Sequence, residues 1–443
     1  MKITSQLDMD VVALEAEDTV TCLLSFEAPM PETASTRPAE TLIVVLDRSG
    51  SMAGPELEAA KVALHALVDV LKPQDIFGLV TFDSQAMIAV PTRAMGDHDL
   101  ATVHALIEGI EAGNTTDLSA GYLLGLREAK RHRTDSGASL MVLSDGYANQ
   151  GTTDVTTMGQ LALKARDRGI TTVTIGIGEN YDDSLLEEMA TRGQGSHRFA
   201  STPDDTTAVV AQEAGDLLTK SIVNTFARIR PTGATGIDGI GTLHDVPRWV
   251  EQDSHGRPIV VLPLGDIYAG ETRELLIQFQ VPELSMLGTA QVAEITVDFV
   301  SLPDFEAGEV RWPISVVVVD SDELSQHNPD PQVRIAALLA EVVATKRDAV
   351  EALQRNDTER AEKALQNAAE RLSRQGAELS DLPEALRARL AEEETHMRAL
   401  QVRAREQGLE YSRRRIREDV SLNSRGRADE LRRSRRRQRD LRI

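Results

Sequence analysis

The sequence predicts a multidomain chain that combines α/β, all-β and α segments: a doubly wound parallel-sheet domain inserted in a β-sandwich, followed by a helical C-terminal region. Three observations support this fold class. Short apolar runs alternate with helix-like segments over residues 40–218. Strands rich in Val and Ile come after that stretch, and two shorter strands come before it. From residue 328 onward, Ala, Leu, Glu and Arg dominate, with apolar residues at helical spacing.

Residues 1–35 predict two strands, because apolar and polar side chains alternate over Ile3–Val11 and, less regularly, over Val20–Phe26. Two strands cannot be stable alone, so we expect them to complete a sheet that forms later in the chain. Cys22 lies on the apolar face of the second strand and is the one cysteine of the sequence. We therefore interpret it as a core thiol and expect no internal disulfide.

Residues 40–218 show the alternation of strands and helices that a parallel sheet requires. The predicted strands are apolar throughout, as strands buried on both faces are: 42–46, 77–82, 140–143 and 171–177. The predicted helices cover 55–72, 97–112, 117–133, 156–169 and 183–192. Ligands of such sheets bind beyond the carboxyl ends of the strands, so the residues that follow each apolar run are candidates for a site.

The rest of the chain predicts three further segments. Residues 221–320 return to strands punctuated by Gly and Pro, which predicts the β-sandwich. Residues 328–412 predict a helical hairpin and a longer helix, with a break at Asn356–Thr358. Residues 413–443 form an Arg-rich tail that has too few apolar side chains for a core, and we expect much of it to be mobile.

The charge is unevenly distributed along the chain. The net charge is −22, yet residues 403–443 carry 15 Arg against 7 acidic residues, so a body of −30 precedes a tail of +8. No apolar run approaches the roughly 20 residues of a transmembrane helix, and the N-terminus lacks the apolar segment of a signal peptide. With a single cysteine, these features predict a cytoplasmic protein without a membrane span. A composition rich in Ala, Asp and Arg, with Arg far above Lys, fits a high-GC bacterium.

The strongest local signal follows the first apolar strand, in the stretch Leu46–Met52. Asp47, Ser49 and Ser51 stand at alternate positions on a glycine-containing turn, so that one carboxylate and two hydroxyls converge. Hard oxygen ligands suit Mg²⁺, with Mn²⁺ or Ca²⁺ as alternatives, and neutral hydroxyls leave part of the ion's charge unquenched. For Asp47 alone, a helix N-cap or an Asx turn explains the residue equally well.

Two later motifs extend this pattern, Asn114–Gly121 and Leu143–Gly146. With Asp47-x-Ser49-x-Ser51 they resemble the metal-ion-dependent adhesion site of von Willebrand factor A (vWA) domains, and the similarity covers residues 40–218. The resemblance implies a Rossmann-like fold and five metal-binding residues: Asp47, Ser49, Ser51, Thr116 and Asp145. By the same resemblance the two Ser bind Mg²⁺ directly, Thr116 does so when a ligand is present, and the two Asp act largely through water. A carboxylate of a partner protein would complete the coordination.

Residues beside these ligands are predicted to contact the partner: Arg48, Thr115, Asp117 and Gly146. We expect Arg48 to face outward and to attract an acidic partner. Asp117 directly precedes a predicted helix, so capping explains it better than metal binding does. Asp83 follows the strand that ends at Phe82, and we interpret it as a hairpin residue.

The sequence offers little support for an enzyme. Asp47 could be the nucleophile of a phosphotransferase resembling the haloacid dehalogenases, but Ser49 stands where those proteins have a second carboxylate. The chain has no Gly-x-Ser-x-Gly, no Gly-x-x-x-x-Gly-Lys-Ser/Thr and no His pair at zinc-ligand spacing. His65 and His104 lie in predicted helices and are interpreted as surface or packing residues. Phosphotransfer at Asp47 remains a minor alternative.

The tail leaves several interpretations open. Its basic clusters are Arg413, Arg414, Arg415, Arg432, Arg433, Arg435, Arg436 and Arg437. They could bind nucleic acid or an anionic surface through phosphate contacts, fold back onto the acidic body, or stay solvated. Tyr411, just before these clusters, is the one aromatic residue of residues 403–443, so base stacking has little support.

The sequence therefore predicts a non-enzymatic, Mg²⁺-dependent adaptor of the bacterial cytoplasm that captures an acidic side chain of a protein partner. Binding of nucleic acid through the tail is the alternative. The order of segments resembles bacterial relatives of inter-alpha-trypsin inhibitor heavy chains and of so-called calcium-activated channel proteins, although no membrane span supports a channel. Intracellular bacterial proteins similar to this often serve assemblies with AAA+ ATPases or with kinases and phosphatases, which suggests partners by analogy only.

Overall fold

A computed structural model describes residues 1–30, 37–145, 148–178, 183–242, 248–378, 383–406 and 409–423. The chain divides into two compact units. Residues 31–221 form the first, which we call the α/β unit; residues 1–30 and those from 222 onward form the second, which we call the β/helical unit. The five predicted segments (1–35, 40–218, 221–320, 328–412 and 413–443) remain predictions in their bounds.

The secondary structure of the described residues begins with strands, then alternates strands and helices, and returns to strands before a run of helices. The strands are β1 (Lys2–Leu7), β2 (Val11–Ala13), β3 (Asp18–Glu27), β4 (Thr41–Asp47), β5 (Ile76–Phe82), β6 (Ala86–Ala94), β7 (Ala138–Ser144), β8 (Ile170–Ile177), β9 (Gln194–Ala200), β10 (Lys220–Pro231), β11 (Gly236–Thr242), β12 (Trp249–Gln252), β13 (Pro258–Tyr268), β14 (Thr272–Val281), β15 (Gly288–Ser301) and β16 (Glu306–Val319). The helices are α1 (Pro55–Val70), α2 (Leu100–Glu108), α3 (Leu118–His132), α4 (Val155–Arg166), α5 (Asp183–Arg192), α6 (Pro203–Leu217), α7 (Ser321–Leu324), α8 (Pro331–Gln354), α9 (Thr358–Glu378), α10 (Glu384–Glu406) and α11 (Leu409–Asn423).

A six-stranded sheet in the order β6-β5-β4-β7-β8-β9 is the centre of the α/β unit. All neighbouring strands are parallel except β5 and β6, which pair antiparallel. Every residue of β4, β7 and β8 is buried. Strands covered on both faces have no polar side to show, which is why these three stand out in the sequence as continuous apolar runs. The predicted doubly wound α/β fold is confirmed for this unit.

Three elements of this sheet region were not predicted: β6, β9 and α6. β6 is an edge strand with several exposed side chains and contains Pro91, which cannot donate to a sheet ladder. β9 has the sequence Gln-Gly-Ser-His-Arg-Phe-Ala and gains its strand conformation by pairing with β8 at the other edge. Pairing with an existing neighbour, rather than apolar periodicity, makes both of them strands.

The first turn of α3 lies very close to the sheet. A Cβ atom at Gly121 would lie 2.5 Å from Cδ1 and 2.9 Å from Cβ of Phe82, a fully buried residue of β5. A side chain at this position would push the helix away from the strand. Gly121 therefore lets α3 begin at the same edge of the sheet where β4 and β5 end.

The β/helical unit contains two sheets. One has the order β1-β3-β14-β11, and the other has the order β12-β13-β10-β15-β16-β2. The N-terminal strands enter both sheets, since β3 pairs with β14 and β2 pairs with β16. Buried side chains from both sheets, among them Phe26 of β3 and Ile295 of β15, belong to one apolar core. Cys22 is buried in the same core, as expected for a core thiol.

The helices of this unit have a second apolar core, to which α8, α9, α10 and α11 all contribute. The first turns of α8 also cover the β1-β3-β14-β11 sheet, where Val333 and Ala336 pack with Leu23 and Leu276. Arg389 of α10 pairs with Glu274 of β14 at 3.0 Å. These contacts join the helices to the sheet within the unit.

Candidate metal site

The two predicted Asp ligands lie at one edge of the α/β sheet. Asp47 is the last residue of β4, and Asp145 directly follows β7. Because β4 and β7 are adjacent and parallel, their carboxyl ends meet at the same place. Both side chains are buried, Asp47 completely. The sheet therefore brings together two carboxylates that are far apart in the sequence.

Hydrogen bonds fix the orientation of the Asp47 carboxylate. Its Oδ2 accepts a hydrogen bond from the Ser144 hydroxyl at 2.6 Å, and its Oδ1 accepts one from the Ser49 backbone N–H at 2.8 Å. Asp47 is thus oriented by β7 and by its own loop.

The hydroxyls of Ser49 and Ser51 continue this network toward Asp145. The two Oγ atoms are 3.0 Å apart, and the Ser51 hydroxyl donates to Oδ1 of Asp145 at 3.0 Å. Ser49 is buried, whereas Ser51 is exposed. Two hydroxyls and one carboxylate therefore form a continuous row of oxygens whose two ends, Ser49 and Asp145, are buried and whose middle member, Ser51, is exposed.

Backbone hydrogen bonds connect the loop before α3 to the loop that follows β4. The Gly50 N–H donates to the Asn114 carbonyl at 2.8 Å, and the Gly113 N–H donates to the Arg48 carbonyl at 2.6 Å. Thr116, two residues after Asn114, is buried. These contacts hold the Thr116 loop beside the Ser49–Ser51 loop.

The loop after β7 is connected to Thr116 in a similar way. The Thr116 N–H donates to Oδ1 of Asn149 at 3.0 Å, and the Thr116 carbonyl accepts from the N–H groups of Asn149 and Gln150 at 3.0 and 3.1 Å. Asn149 was not recognised in the sequence, because its role depends on contacts between two loops and has no motif of its own. The structure thus brings all five predicted metal ligands into three connected loops.

The electrostatics of this edge favour a cation. Burial raises the pKa of the Asp47 carboxyl above its usual range, despite the hydrogen bonds that it accepts from Ser144 and Ser49. Burial, followed by the nearby charge of Asp47, raises the pKa of Asp145 to about 7. Two buried carboxylates repel each other when both are ionised, and a divalent cation between them would remove that repulsion.

The donor set fits a hard divalent ion. Asp47, Asp145 and the hydroxyls of Ser49, Ser51 and Thr116 offer oxygen atoms only, as Mg²⁺ prefers. Among the described residues there is no group of three or more His, Cys, Asp or Glu side chains that could hold a metal ion. The candidate site is of a different kind, since hydroxyls provide most of its donors.

The predicted partner-contact residues lie in different environments. Arg48 does not face outward as expected: its guanidinium pairs with Asp83 at 2.7 Å and donates to the Glu111 carbonyl at 3.2 Å. Asp83 follows β5 in the turn to β6 and also accepts from the Gln85 N–H at 2.9 Å, which agrees with a hairpin residue. The charge of Arg48 is therefore already balanced within the domain.

The remaining partner-contact residues are Thr115, Asp117 and Gly146. Thr115 is partly buried in the loop before α3. Asp117 caps α3, since its Oδ1 accepts from the Ala120 N–H at 2.9 Å and from the Ser119 hydroxyl. Gly146 lies outside the described residues.

The predicted Arg-rich tail begins inside a helix. Arg413, Arg414 and Arg415 belong to α11, and Arg414 is almost fully buried. Arg415 pairs with Glu418 at 2.9 Å. The expectation that residues beyond 413 have too few apolar side chains for a core is wrong for α11, because Ile416 packs into the helical core. Arg432, Arg433, Arg435, Arg436 and Arg437 lie outside the described residues.

Comparisons with known proteins agree with the geometry of the α/β unit. Residues 41–213 match the model of the von Willebrand factor type A domain, so the chain contains a domain of this type. Domains of this type generally act as metal-dependent protein-interaction modules. Among the helices in the described part of the chain, none combines the length and apolar content needed to cross a membrane.

Three curated relatives match part of the chain. The uncharacterized protein YfbK of Escherichia coli is 30% identical over 184 residues, which cover 41% of this chain and 32% of YfbK. The E3 ubiquitin-protein ligase WAV3 of Arabidopsis thaliana is 26% identical over 283 residues, which cover 58% of this chain and 35% of WAV3. Inter-alpha-trypsin inhibitor heavy chain H3 of Mesocricetus auratus is 26% identical over 172 residues, which cover 36% of this chain and 19% of the heavy chain. The match spans about a third or less of these relatives.

Two solved structures share the fold over most of the chain. A von Willebrand factor type A protein from Catenulispora acidiphila superposes with a TM-score of 0.68 at 17% identity, covering 85% of this chain and 87% of that one. The ArnB paralog VWA2 from Sulfolobus acidocaldarius superposes with a TM-score of 0.62 at 14% identity, covering 96% of this chain and 98% of that one. At this level of identity the likeness shows the fold alone.

Proposed function

We propose that this protein is a non-enzymatic adaptor whose vWA domain holds Mg²⁺ at Asp47, Ser49, Ser51, Thr116 and Asp145 and captures an acidic side chain of a protein partner. Mn²⁺ and Ca²⁺ are alternative ions. The observation that supports this most is the row of oxygens from Asp47 through the two Ser hydroxyls to Asp145, with hydroxyl contacts of 3.0 Å.

The charge of the donor set supports capture of a carboxylate. The site offers at most two negative charges, both on buried Asp residues whose pKa values are raised. A Mg²⁺ ion bound there would act as a Lewis acid that attracts a further oxygen ligand. Ser51, in the middle of the row, is exposed, so a side chain of another protein can reach this position.

An adaptor role in a bacterial cytoplasm also belongs to this proposal. The burial of the one cysteine in an apolar core, without a disulfide partner in the sequence, supports the cytoplasm as its location.

We further propose that the two sheets of the β/helical unit form the predicted β-sandwich, interrupted in the chain by the vWA domain. The apolar core that both sheets share supports this. The proposal contains no catalytic residue, although one matched relative, WAV3, carries the name of a ubiquitin ligase.

The first test is metal binding to the metal-free protein, measured by calorimetry with Mg²⁺, Mn²⁺ and Ca²⁺. We expect one site per chain, and we expect Asp47→Asn and Thr116→Ala to weaken it at least tenfold while circular dichroism stays unchanged. Asp154→Asn is the matched control, because Asp154 is a carboxylate of the same unit that only caps α4. Equal affinity in all four proteins would contradict the proposed ligands.

The second test is capture of partners from a bacterial extract by the immobilised protein, with Mg²⁺ or with EDTA. We expect a set of proteins that is retained with Mg²⁺, released by EDTA and absent with Thr116→Ala. Free glutamate at high concentration should compete for the same site. An identical set of proteins under all conditions would rule out metal-dependent capture.

A further inference from the structure

Two histidines that the proposed function does not use face each other across two helices of the α/β unit. His65 lies on α1 and His104 on α2, and their Nδ1 atoms are 2.6 Å apart. The ring centroids are separated by 4.8 Å, and the ring planes are inclined by 30°. Both side chains are partly buried, with exposed fractions of 27% and 32%.

Each ring has a carboxylate on its opposite side. Nε2 of His104 is 3.0 Å from Oδ1 of Asp69 on α1, and Nε2 of His65 is 3.4 Å from Oε2 of Glu108 on α2. The four side chains therefore form a row, Glu108–His65–His104–Asp69, that crosses three times between the two helices. Carboxylates only accept hydrogen bonds, so each Nε2 must carry a proton to complete its contact.

Several other charged groups on α1 and on the elements that pack against α1 and α2 have contacts that do not involve the two rings. Their contacts are Lys61 with Glu58, Arg93 with His98, Asp205 with Ser201, and Glu213 with Ser196 and Arg198. In the described part of the chain, Asp69 and Glu108 are the charged groups within ion-pair distance of the two rings.

The number of protons in the row follows from these contacts. If both rings are neutral and both Nε2 atoms are protonated, two Nδ1 lone pairs face each other at 2.6 Å, which is repulsive. If both rings are imidazolium ions, two N–H groups oppose each other. One added proton between the two Nδ1 atoms lets one ring donate to the other and satisfies all contacts of the row.

The distance distinguishes a proton from a metal ion. Two imidazoles that bind one tetrahedral ion with N–metal bonds of about 2.0–2.1 Å have nitrogens roughly 3.3 Å apart. The observed 2.6 Å is a hydrogen-bond distance. The described residues also offer no third His, Cys, Asp or Glu for such an ion.

We propose that His65 and His104 share one proton and act as a pH-dependent clasp that holds α2 to α1. Loss of the shared proton leaves opposed lone pairs, and gain of a second proton leaves opposed N–H groups, so the clasp is strongest between these two states. The effect on α2 is large because this helix has nine residues and buries two of them, Val103 and Ile107. This inference goes beyond the metal site and does not depend on it.

The direct test is a long-range ¹H–¹⁵N spectrum of the EDTA-treated full chain labelled at histidine nitrogens, with His65→Gln and His104→Gln for assignment. For the pair that shares one proton, we expect both Nε2 atoms protonated and the two Nδ1 signals intermediate between protonated and free nitrogen. Two independent neutral rings, each unaffected by substitution of the other, would overturn the proposal.

The second test is the melting temperature of the α/β unit against pH. We expect the profile of the wild type to pass through a maximum that the profile of His104→Gln lacks, because the clasp holds α2 only while one proton is shared. His255→Gln, which removes an exposed histidine of the other unit, should keep the wild-type profile. Equal profiles for wild type and His104→Gln would overturn the proposal. So would stoichiometric binding of Zn²⁺ that requires both histidines, because a metal ion would then replace the shared proton.

Discussion

Asp145 is the residue whose protonation should control metal binding. Its pKa of about 7 in the metal-free protein means that a proton competes with the cation at neutral pH. We expect Mg²⁺ affinity to be nearly constant above pH 8 and to fall by up to about tenfold for each pH unit below 7. Calorimetry at pH 6, 7 and 8 in buffers of different ionisation enthalpy would measure both the affinity and the proton that binding releases.

The Asp145 carboxyl should also affect the stability of the metal-free domain. As the pH falls, the affinity for Mg²⁺ should decrease, whereas the free energy of unfolding of the metal-free domain should increase. Its pKa in the folded state lies above that of an unfolded Asp, about 3.9, so the folded state binds more protons between pH 4 and pH 7. The free energy of unfolding of the metal-free domain should therefore rise as the pH falls from 7 toward 4. Asp145→Asn should reduce this dependence to the part that Asp47 contributes and flatten the Mg²⁺ profile, whereas Asp154→Asn should leave both as in the wild type. A wild-type profile without any slope between pH 6 and 8 would contradict the prediction.

Gly121 is the residue on which the close approach of α3 to the sheet depends. Gly121→Ala places a Cβ 2.5 Å from the buried Phe82 ring, so we expect a loss of about 1–3 kcal/mol in the free energy of unfolding. Gly215→Ala is the matched control, since it lies in α6 with open space around its Cα. There the better helix propensity of Ala should stabilise the unit by about 0.5–1 kcal/mol. Denaturant unfolding would show the two opposite signs, and equal changes would contradict the packing argument.

Whether a site residue could be predicted from the sequence depends on how far along the chain its contacts lie. Asp47, Ser49 and Ser51 share one short motif, and the three-part resemblance adds Thr116 and Asp145. The pairing of Arg48 with Asp83 was not predictable, because it depends on the distance between two loops that have no common pattern. The contact of Asn149 with Thr116 has the same origin. Motifs identify ligands, but the residues that position them become visible only in the folded sheet.

Among the elements, α11 shows how few apolar residues a helix needs when its polar ones are paired. Lys346 of α8 is fully buried and contacts Glu393 of α10 at 2.6 Å and Asp419 of α11. His396 of α10 approaches the other oxygen of Asp419 at 2.8 Å. These buried charges join three helices, which explains why a segment read from the sequence as an unpacked tail is packed.

Loss of Lys346 should release α11. Lys346→Ala leaves Glu393 and Asp419 buried without their cation, and we expect a cost of about 3–5 kcal/mol together with fast hydrogen exchange in α11. Arg371→Ala is the matched control within the same helices, because its pair with Glu341 is exposed and should contribute less than about 1 kcal/mol. Chemical denaturation followed by mass-spectrometric hydrogen exchange measures both effects. Similar losses in the two variants would show that the Lys346 contacts do not hold α11.

The predictability of an element from the sequence depends on its surroundings. β4, β7 and β8 were predicted because they are buried on both faces and therefore apolar throughout. β6, β9 and α11 depend on pairing with a neighbour or on buried ion pairs, and neither leaves a periodic apolar pattern. Apolar periodicity therefore indicates the centre of a sheet more readily than its edges.

On the scale of the whole molecule, the chain leaves the β/helical unit after β3 and returns to it at β10. Residues 1–30 contribute β1, β2 and β3 to its two sheets. β3 lies between β1 and β14 and provides Leu24 and Phe26 to the apolar core, while Leu23 packs on α8. The N-terminal residues are therefore central to this unit although the rest of it lies at the other end of the sequence.

Deletion of residues 1–30 should unfold the β/helical unit and leave the α/β unit folded. The deletion exposes the edge of β14 and the apolar side chains that faced β3, which removes several buried contacts at once. Calorimetry should show that one of two melting transitions disappears, and the remaining transition should still rise in temperature when Mg²⁺ is added, provided that the proposed metal site is correct. Truncation after Asn423 is the control, since it keeps every described strand and helix and should preserve both transitions. An unchanged thermal profile after deletion of residues 1–30 would mean that the β/helical unit forms without its N-terminal strands, contrary to their central position in both the sheet and the core.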